Sequence, residues 1–224
     1  MHFINIEGLD ASGKSTQIKL LKNYFEENNI SYQYLHFPRT ASPVFGKLIA
    51  KFLRGELGNI NSVNPYLVAL IYAGDRNDAK NMIRKWIDSG YLVLVDRYVY
   101  SNIAFQSAKL SEEGEIEELS EWIKHLEYNY YGIPKPDINL FLDVPFDFTK
   151  QKPQQKRKGP ARAYLKGKEN IPEKDLPFQE NVRSIYLRET QKEDDFFRVD
   201  CRNDSGKMLP SRQIRDKILE YVKL

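Results

Sequence analysis

Residues 8–16 read Gly-Leu-Asp-Ala-Ser-Gly-Lys-Ser-Thr, a complete G-x-x-x-x-G-K-[ST] pattern set between a short apolar stretch and an amphipathic one. Phe3-Ile4-Asn5-Ile6 alternates as a strand does, while Ile18, Leu20, Leu21, Tyr24 and Phe25 recur at helical spacing. A strand, a tight loop and a helix are therefore expected in that order. Gly8 and Gly13 let the loop turn its N–H groups inward around an anion, and the helix aims its positive dipole end at the same place. The loop formed by Gly8, Leu9, Asp10, Ala11, Ser12, Gly13, Lys14, Ser15 and Thr16 is read as a cradle for nucleotide phosphates. Lys14 is the mobile cation for the outer phosphates and Ser15 a hydroxyl for Mg²⁺. A Gly-rich turn that binds nothing is the competing reading, and the strand and helix on either side weigh against it. Asp10 either takes part in the chemistry or caps the turn.

Apolar stretches at 3–6, 32–37, 91–95, 138–142 and 196–199 alternate with longer helical patterns. This is the signature of a parallel sheet covered on both faces, so five strands are expected in one domain spanning 1–224. The third and fourth strands end in Asp96 and Asp143. Ligands of such folds bind beyond the carboxyl ends of the strands, which puts both aspartates at the functional rim. A long helix is predicted over 66–87, with Leu67, Ile71, Met82, Ile83, Trp86 and Ile87 on its apolar side and Ser89-Gly90 closing it. Residues 112–121 carry six glutamates and read as the solvated face of a helix running to about residue 130. A last helix over 210–224 places Ile214, Ile218, Tyr221 and Val222 on one face to cover the sheet.

Composition closes off several function classes. The 34 Lys and Arg against 31 Asp and Glu leave a net charge of +3, too balanced for nucleic-acid binding through bulk charge. The single cysteine, Cys201, excludes an internal disulfide and a Cys-rich metal site, and His2, His36 and His125 lack ligand spacing. The nearly apolar run 66–74 is far too short to span a membrane, and Glu7 interrupts the N-terminus before a signal-peptide core could form. No nucleic-acid partner, no membrane partner and a cytoplasmic location are expected.

The other strand ends narrow the chemistry. Phe37-Pro38-Arg39 follows the second strand and Asp96-Arg97-Tyr98 the third, so two arginines stand beside the phosphate loop. Arginine's planar fork suits bidentate phosphate binding, and the pair suggests a second phosphate site facing the first. A kinase whose acceptor is itself a phosphate needs that arrangement. The plainer alternatives are a surface carboxylate for Arg39 and an ion pair with Asp10 or Asp96 for Arg97. Asp96 is read as a partner of the Mg²⁺ site acting through the ion's bound water.

These residues, together with Glu7 to Gln17, Ala73-Gly74-Asp75-Arg76, Ser101-Asn102, Ala104-Phe105-Gln106, Pro136-Asp137 and the segment 178–187, resemble thymidylate kinases in order along the chain. The resemblance implies a P-loop nucleoside-monophosphate kinase fold with a mobile lid. It implies transfer of the γ-phosphate of Mg-ATP to dTMP, giving dTDP and ADP. It assigns Asp10 to the sugar 3′-hydroxyl and to orienting an acceptor-side arginine, and Arg39 and Arg97 to the acceptor phosphate beside Phe37 and Ser101. Tyr72, which spacing alone would place in ordinary helix packing, is assigned to stacking on thymine. Arg76 is assigned to the O4 carbonyl, Asn102 and Gln106 to the base edge, and Phe105 to the ring under the sugar. A homodimer packed through 66–87 is implied as well.

The stretch 150–168 holds eight Lys or Arg and no acid, with two prolines and two glycines, so it cannot bury a core. One reading is a solvated basic loop or a nucleic-acid arm. The other is a lid within 150–172 whose Lys156, Arg157, Lys158 and Arg162 cover the nucleotide. The resemblance to thymidylate kinases, which carry an arginine either in the phosphate loop or in the lid, makes Arg157 and Arg162 the catalytic candidates here, where the loop has Ala11 and Ser12. A phosphate monoester is already an anionic nucleophile, so the reaction needs positioning and charge rather than a general base. A deoxynucleoside kinase would need a carboxylate where Arg39 stands, and a GTPase would need an N-K-x-D segment that the chain lacks.

Overall fold

The computed structural model describes residues 3–58, 62–151 and 175–223. Its strands are β1 (Phe3–Gly8), β2 (Tyr32–His36), β3 (Leu92–Asp96), β4 (Ile138–Asp143) and β5 (Phe196–Asp200). The five lie parallel in the order β2-β3-β1-β4-β5. All five expected strands are present. β1 occupies the centre, where the order of connection reverses, so its carboxyl end opens the crevice in which sheets of this kind bind ligands.

The helices are α1 (Lys14–Glu27), α2 (Phe45–Leu53), α3 (Pro65–Asp88), α4 (Val99–Ser107), α5 (Glu113–Lys124), α6 (Phe146–Gln151), α7 (Leu176–Lys192) and α8 (Ser211–Val222). A π-helical segment, His125–Tyr130, continues α5. The α3 start follows from local chemistry: the Asn64 side chain accepts from the Tyr66 N–H and Pro65 stands in the first turn, where its missing donor costs nothing. Asp175 caps α7 in the same way, accepting from Phe178 N at 3.0 Å.

Side-chain alternation along the strands feeds two cores. Ile4, Ile6, Leu94, Leu140 and Leu142 pack with Ile18, Leu21 and Phe25 of α1 and with Ile214 and Ile218 of α8. On the other face Phe3, Val93, Val95 and Phe141 pack with residues of α3, α4, α5 and α7. Asn5 and Glu7 share that second face with Phe3 by the two-residue period, and both are fully buried. The polar position in β1 is thus not a solvated one: Asn5 Nδ2 donates to Asn139 Oδ1 at 2.8 Å and to Glu7 Oε1 at 3.0 Å.

Two helix expectations need correction. In α3 the buried face runs through Val68, Ala69, Ala73, Gly74, Asp75, Arg76, Ala79 and Ile83, whereas Leu67, Leu70 and Met82 are exposed. A helix that buries Asp75 and Arg76 does so because both have partners, which periodicity of apolar residues cannot register. The acidic helix also divides at Lys124, and its glutamates are not simply solvated, since Glu113 and Glu117 pair with Arg188 of α7. The α2 helix was not anticipated. It approaches the rim closely because a Cβ on Gly46 would overlap the Arg39 carbonyl, and one on Gly74 would overlap the Phe45 ring.

Candidate active site

The loop between β1 and α1 has the conformation its glycines foreshadow. Gly13 caps α1 with φ +88°, and Ala11 is held at φ +63°, an uncommon value for a residue with a Cβ. Lys14 folds back into the loop, where its Nζ donates to the carbonyls of Gly8 (3.0 Å) and Leu9 (2.8 Å). Burial, and then the nearby Arg97 charge, lower its pKa from 10.5 to about 8. The hydroxyl of Ser12 is buried with no protein partner, while Ser15 and Thr16 are exposed on the first turn of α1.

Asp96 closes β3 beside this loop. One carboxylate oxygen lies 3.1 Å from His36 Nδ1, and the other is buried with no hydrogen-bond partner. Burial favours the neutral acid, but His36, Lys14 and Arg97 outweigh it and hold the pKa below the ordinary carboxylate value. The unpartnered Asp96 oxygen and the exposed Ser15 hydroxyl are both hard oxygen donors, the chemistry that suits Mg²⁺.

Arg97 follows at φ +69°, a strained backbone for an arginine. Its guanidinium donates to Asp10 Oδ1 at 2.7 Å and to Ser101 Oγ at 3.1 Å, and it lies 5.0 Å from the Phe105 ring centre. The ion pair with Asp10 is thus realised, and it ties the phosphate loop to the third strand's end. Gln179 of α7 also reaches Asp10, at 3.5 Å.

Glu7 organises this corner and was not recognised from sequence beyond its place in the motif. Fully buried, it accepts from Tyr98 N (2.8 Å), Ser101 N (3.2 Å), Tyr186 OH (3.0 Å), Asn5 Nδ2 (3.0 Å) and the Ser101 hydroxyl. Two of those donors are main-chain groups at the start of α4, which has no other side-chain cap. An acid in a short apolar strand, followed by Gly, was the available signal.

Arg39 is engaged by carboxylates in turn. Its N–H and Nε donate to Asp75 at 2.8 and 3.0 Å, and Nη2 to the Asp75 carbonyl and to Asp78 at 2.6 Å. Of these two acids Asp75 is buried and Asp78 exposed, so the expected surface partner exists but a buried one precedes it. Phe37 is enclosed against Tyr98, with ring centres 5.7 Å apart, and Arg39 lies over its outer side.

Arg76 is 2% exposed and makes a two-bond pair with the fully buried Glu127 of the π-helical segment, one bond being 2.6 Å. Asn102 donates to the same carboxylate at 3.1 Å and to the Ala69 carbonyl at 3.0 Å. Gln106 is buried and accepts from Lys109 at 2.9 Å. Tyr72 is half-buried and packs against the cluster formed by Ile49, Phe52, Leu53 and Val68. Phe105 meets Phe178 of α7 edge-on at 6.2 Å.

Asp143 takes no part in this constellation despite ending a central strand. It is fully buried and held by Arg183 (2.6 and 2.9 Å), Arg198 (2.7 Å) and Arg202 (3.4 Å), a saturated ion-pair cluster. Lys156, Arg157, Lys158 and Arg162 lie outside the described residues. Among the described residues no helix is long and apolar enough to cross a membrane.

Arg39, Arg97 and a phosphate loop thus stand at the carboxyl ends of β1, β2 and β3, and Arg76 follows Asp75, the acid that holds Arg39, along α3. Comparison with known proteins agrees with that geometry. The family model "Thymidylate kinase" matches residues 6–208. A thymidylate kinase of Mycobacterium tuberculosis is 31% identical over 184 residues, covering 82% of this chain and 83% of that protein. A probable thymidylate kinase of Pyrobaculum aerophilum is 33% identical over 195 residues, covering 86% and 85%. The solved thymidylate kinase of Candida albicans superimposes with a TM-score of 0.71 at 26% identity, covering 99% of this chain and 91% of that one. A five-stranded parallel sheet with these strand-end residues, matched along almost its whole length, places the chain in the thymidylate kinase family.

Proposed function

We infer that this chain transfers the γ-phosphate of Mg-ATP to dTMP, giving dTDP and ADP, and that the residues converging on the sheet rim divide the work between donor and acceptor. The observation that carries the division is the Arg97–Asp10 pair, which couples the phosphate loop to an arginine on the neighbouring strand end. Residues 8–16 hold the ATP phosphates with main-chain N–H groups, and Lys14 leaves its two carbonyl partners to meet the outer phosphates. Arg97 and Arg39 bind the dTMP phosphate, with Ser101 steadying Arg97 and Phe37 lying beneath Arg39. Asp10 holds Arg97 in place and takes the sugar 3′-hydroxyl. Phe105 and Tyr72 border the sugar and base, and Arg76, Asn102 and Gln106 serve the base edge.

Mg²⁺, when bound, neutralises charge on the transferring phosphate. Ser15 would hold it, with Asp96 accepting from its water shell through the oxygen that has no protein partner. The incoming phosphate oxygen is already anionic, so these side chains orient the reactants and need not remove a proton. Arg157 and Arg162, on sequence grounds alone, complete the charge over the donor as part of a lid. The exposed Leu67, Leu70 and Met82 on α3 favour a homodimer through that helix, which sedimentation velocity would read directly.

A coupled ADP-release assay with ATP and a panel of nucleoside monophosphates tests the reading. dTMP is expected to be the best acceptor. Faster turnover of dCMP or AMP would overturn it.

A further inference from the structure

We propose that Glu127 is a positioning residue for base selection: its carboxylate fixes both the Arg76 guanidinium and the direction of the Asn102 amide, so that the pair presents one donor beside one acceptor. This rests on the reading that Arg76 and Asn102 face the acceptor base.

The argument begins with hydrogen-bond accounting. An ionised carboxylate can only accept. Glu127 is fully buried and takes the Nε and Nη2 edge of Arg76, which leaves Nη1 with no acceptor among the described residues. Asn102 must donate twice, to Glu127 Oε1 at 3.1 Å and to the Ala69 carbonyl at 3.0 Å. An amide can be turned end for end, but here the reversed form would set its oxygen against two acceptors. Its carbonyl oxygen is therefore the group left over, and it is buried with no partner. A buried acceptor without a protein donor calls for another donor, and on the reading that Asn102 faces the acceptor base the ligand supplies it.

A free guanidinium N–H beside a free carbonyl oxygen complements a carbonyl beside an N–H. Thymine and uracil offer that edge at O4 and N3. Cytosine offers the reverse, an amine and a bare ring nitrogen. The discriminating element is thus the carboxylate behind the two side chains as well as the side chains themselves.

The backbone around Glu127 is built to place it. The π-helical turn inserts an extra residue into the helix, closing with Tyr131 N on the Leu126 carbonyl at 2.8 Å. Its far end is tied to α3, since Lys80 donates to the Tyr131 carbonyl at 2.8 Å and Arg84 to that of Gly132. The helix that carries Arg76 therefore also fixes the turn that carries Arg76's partner.

The test is acceptor preference in Glu127→Gln. A glutamine can donate, so it removes one of the two acceptors that fix the Asn102 amide; only the Ala69 carbonyl then opposes the reversed form, which presents N–H groups toward a cytosine ring nitrogen. The ratio of kcat/KM for dTMP over dCMP is expected to fall at least tenfold, while the ratio for dTMP over dUMP, which share the edge, changes less than threefold. ATP affinity should be unchanged. An equal loss for all three acceptors would mean that Glu127 only supports the fold, and the proposal would fail. If Glu127→Gln does not fold by circular dichroism, Glu127→Asp decides: it keeps an accept-only carboxylate and must retain the dTMP preference at reduced rate, and a loss of that preference overturns the proposal. Wild-type enzyme that turns over dCMP as fast as dTMP would instead sink the underlying assignment of Arg76 and Asn102.

Discussion

In the phosphate loop the only buried cation, Lys14, is parked on main-chain carbonyls, whereas at the neighbouring strand ends and on α3 each arginine of the site is locked to a carboxylate: Arg39 to Asp75, Arg76 to Glu127 and Arg97 to Asp10. The two arrangements hold charge differently. Carbonyl dipoles only partly offset the burial of an ammonium, so Lys14 is poised to move toward phosphate or to lose its proton. Carboxylates instead fix the arginines in direction, which suits recognition of a particular acceptor more than capture of any polyphosphate. On the proposed division of roles, the donor side is pliable and the acceptor side preset.

The largest test removes the pliable cation. Lys14→Ala should lower kcat by roughly a hundred- to a thousandfold or more, the usual loss for a group that stabilises transition-state charge. It should not destabilise the protein in proportion. A pKa of about 8 against the ordinary 10.5 means that charged Lys14 carries a burial penalty, at about 1.4 kcal/mol per pKa unit. Thermal melting near pH 7 should therefore hold or rise by a few degrees, at about 2–4 °C per kcal/mol. A sharp fall in melting temperature would show that Lys14 belongs to the core more than to the site.

Next comes the preset side. If Arg97 binds the acceptor phosphate as proposed, Arg97→Ala removes a charge-assisted contact of about 1.5–3 kcal/mol, which is roughly ten- to a hundredfold in kcat/KM for dTMP. ATP binding without dTMP should change little. If it collapsed, Arg97 would belong to the donor half and the division between the two regions would be wrong.

The same contrast explains which parts were legible in the sequence. The loop is nine consecutive residues acting mostly through main chain, so spacing alone describes it, and all five strands follow from apolar runs between helical stretches. The acceptor side joins residues 36, 51 and 87 positions apart, and no local period links Arg39 to Asp75, Arg76 to Glu127 or Arg97 to Asp10. Asp10 was foreseen as a partner because it lies within the loop. Glu127 was not, because its burial depends on a π-helical turn held by Lys80 and Arg84 through main-chain carbonyls. Glu7 was hidden for a related reason: five donors from three elements, β1, α4 with its cap and α7, make a buried acid tolerable, and only the assembled fold brings them together.

A smaller effect ties the regions together through protons. Bound triphosphate favours charged Lys14, so ATP binding takes up a proton wherever the free loop has lost it. Below pH 8 the lysine is charged in both forms and affinity is flat. Above pH 8 affinity should weaken, by up to about tenfold per pH unit, until the bound-state pKa is reached. Folding stability moves the other way: from pH 8 towards 10.5 the unfolded chain binds the extra proton, and Lys14's contribution to stability rises. Arg97 is the second cause of the lowered pKa after burial, so Arg97→Ala should shift the midpoint of the ATP affinity profile upward. Calorimetry at pH 9 in buffers of different ionisation enthalpy would count the proton directly. No uptake at pH 9 would mean that Lys14 is as firmly held as the arginines.

The mildest test perturbs the acceptor side without touching a charged group. Gly46 lies in the first turn of α2, where an added Cβ would overlap the Arg39 carbonyl and crowd the Ser42 hydroxyl. Ser42 Oγ accepts from Gly46 N at 2.9 Å and donates to Asp75 at 3.3 Å, the same acid that fixes Arg39. Gly46→Ala should therefore push the Arg39 main chain outward while Asp75 holds its side chain, at a stability cost of about 1–3 kcal/mol for overpacking. The KM for dTMP should rise several-fold, with kcat and ATP affinity nearly unchanged, because only the acceptor's docking is disturbed. An equal loss in ATP affinity would mean that α2 supports the whole rim, and that the acceptor side is not set independently of the phosphate loop.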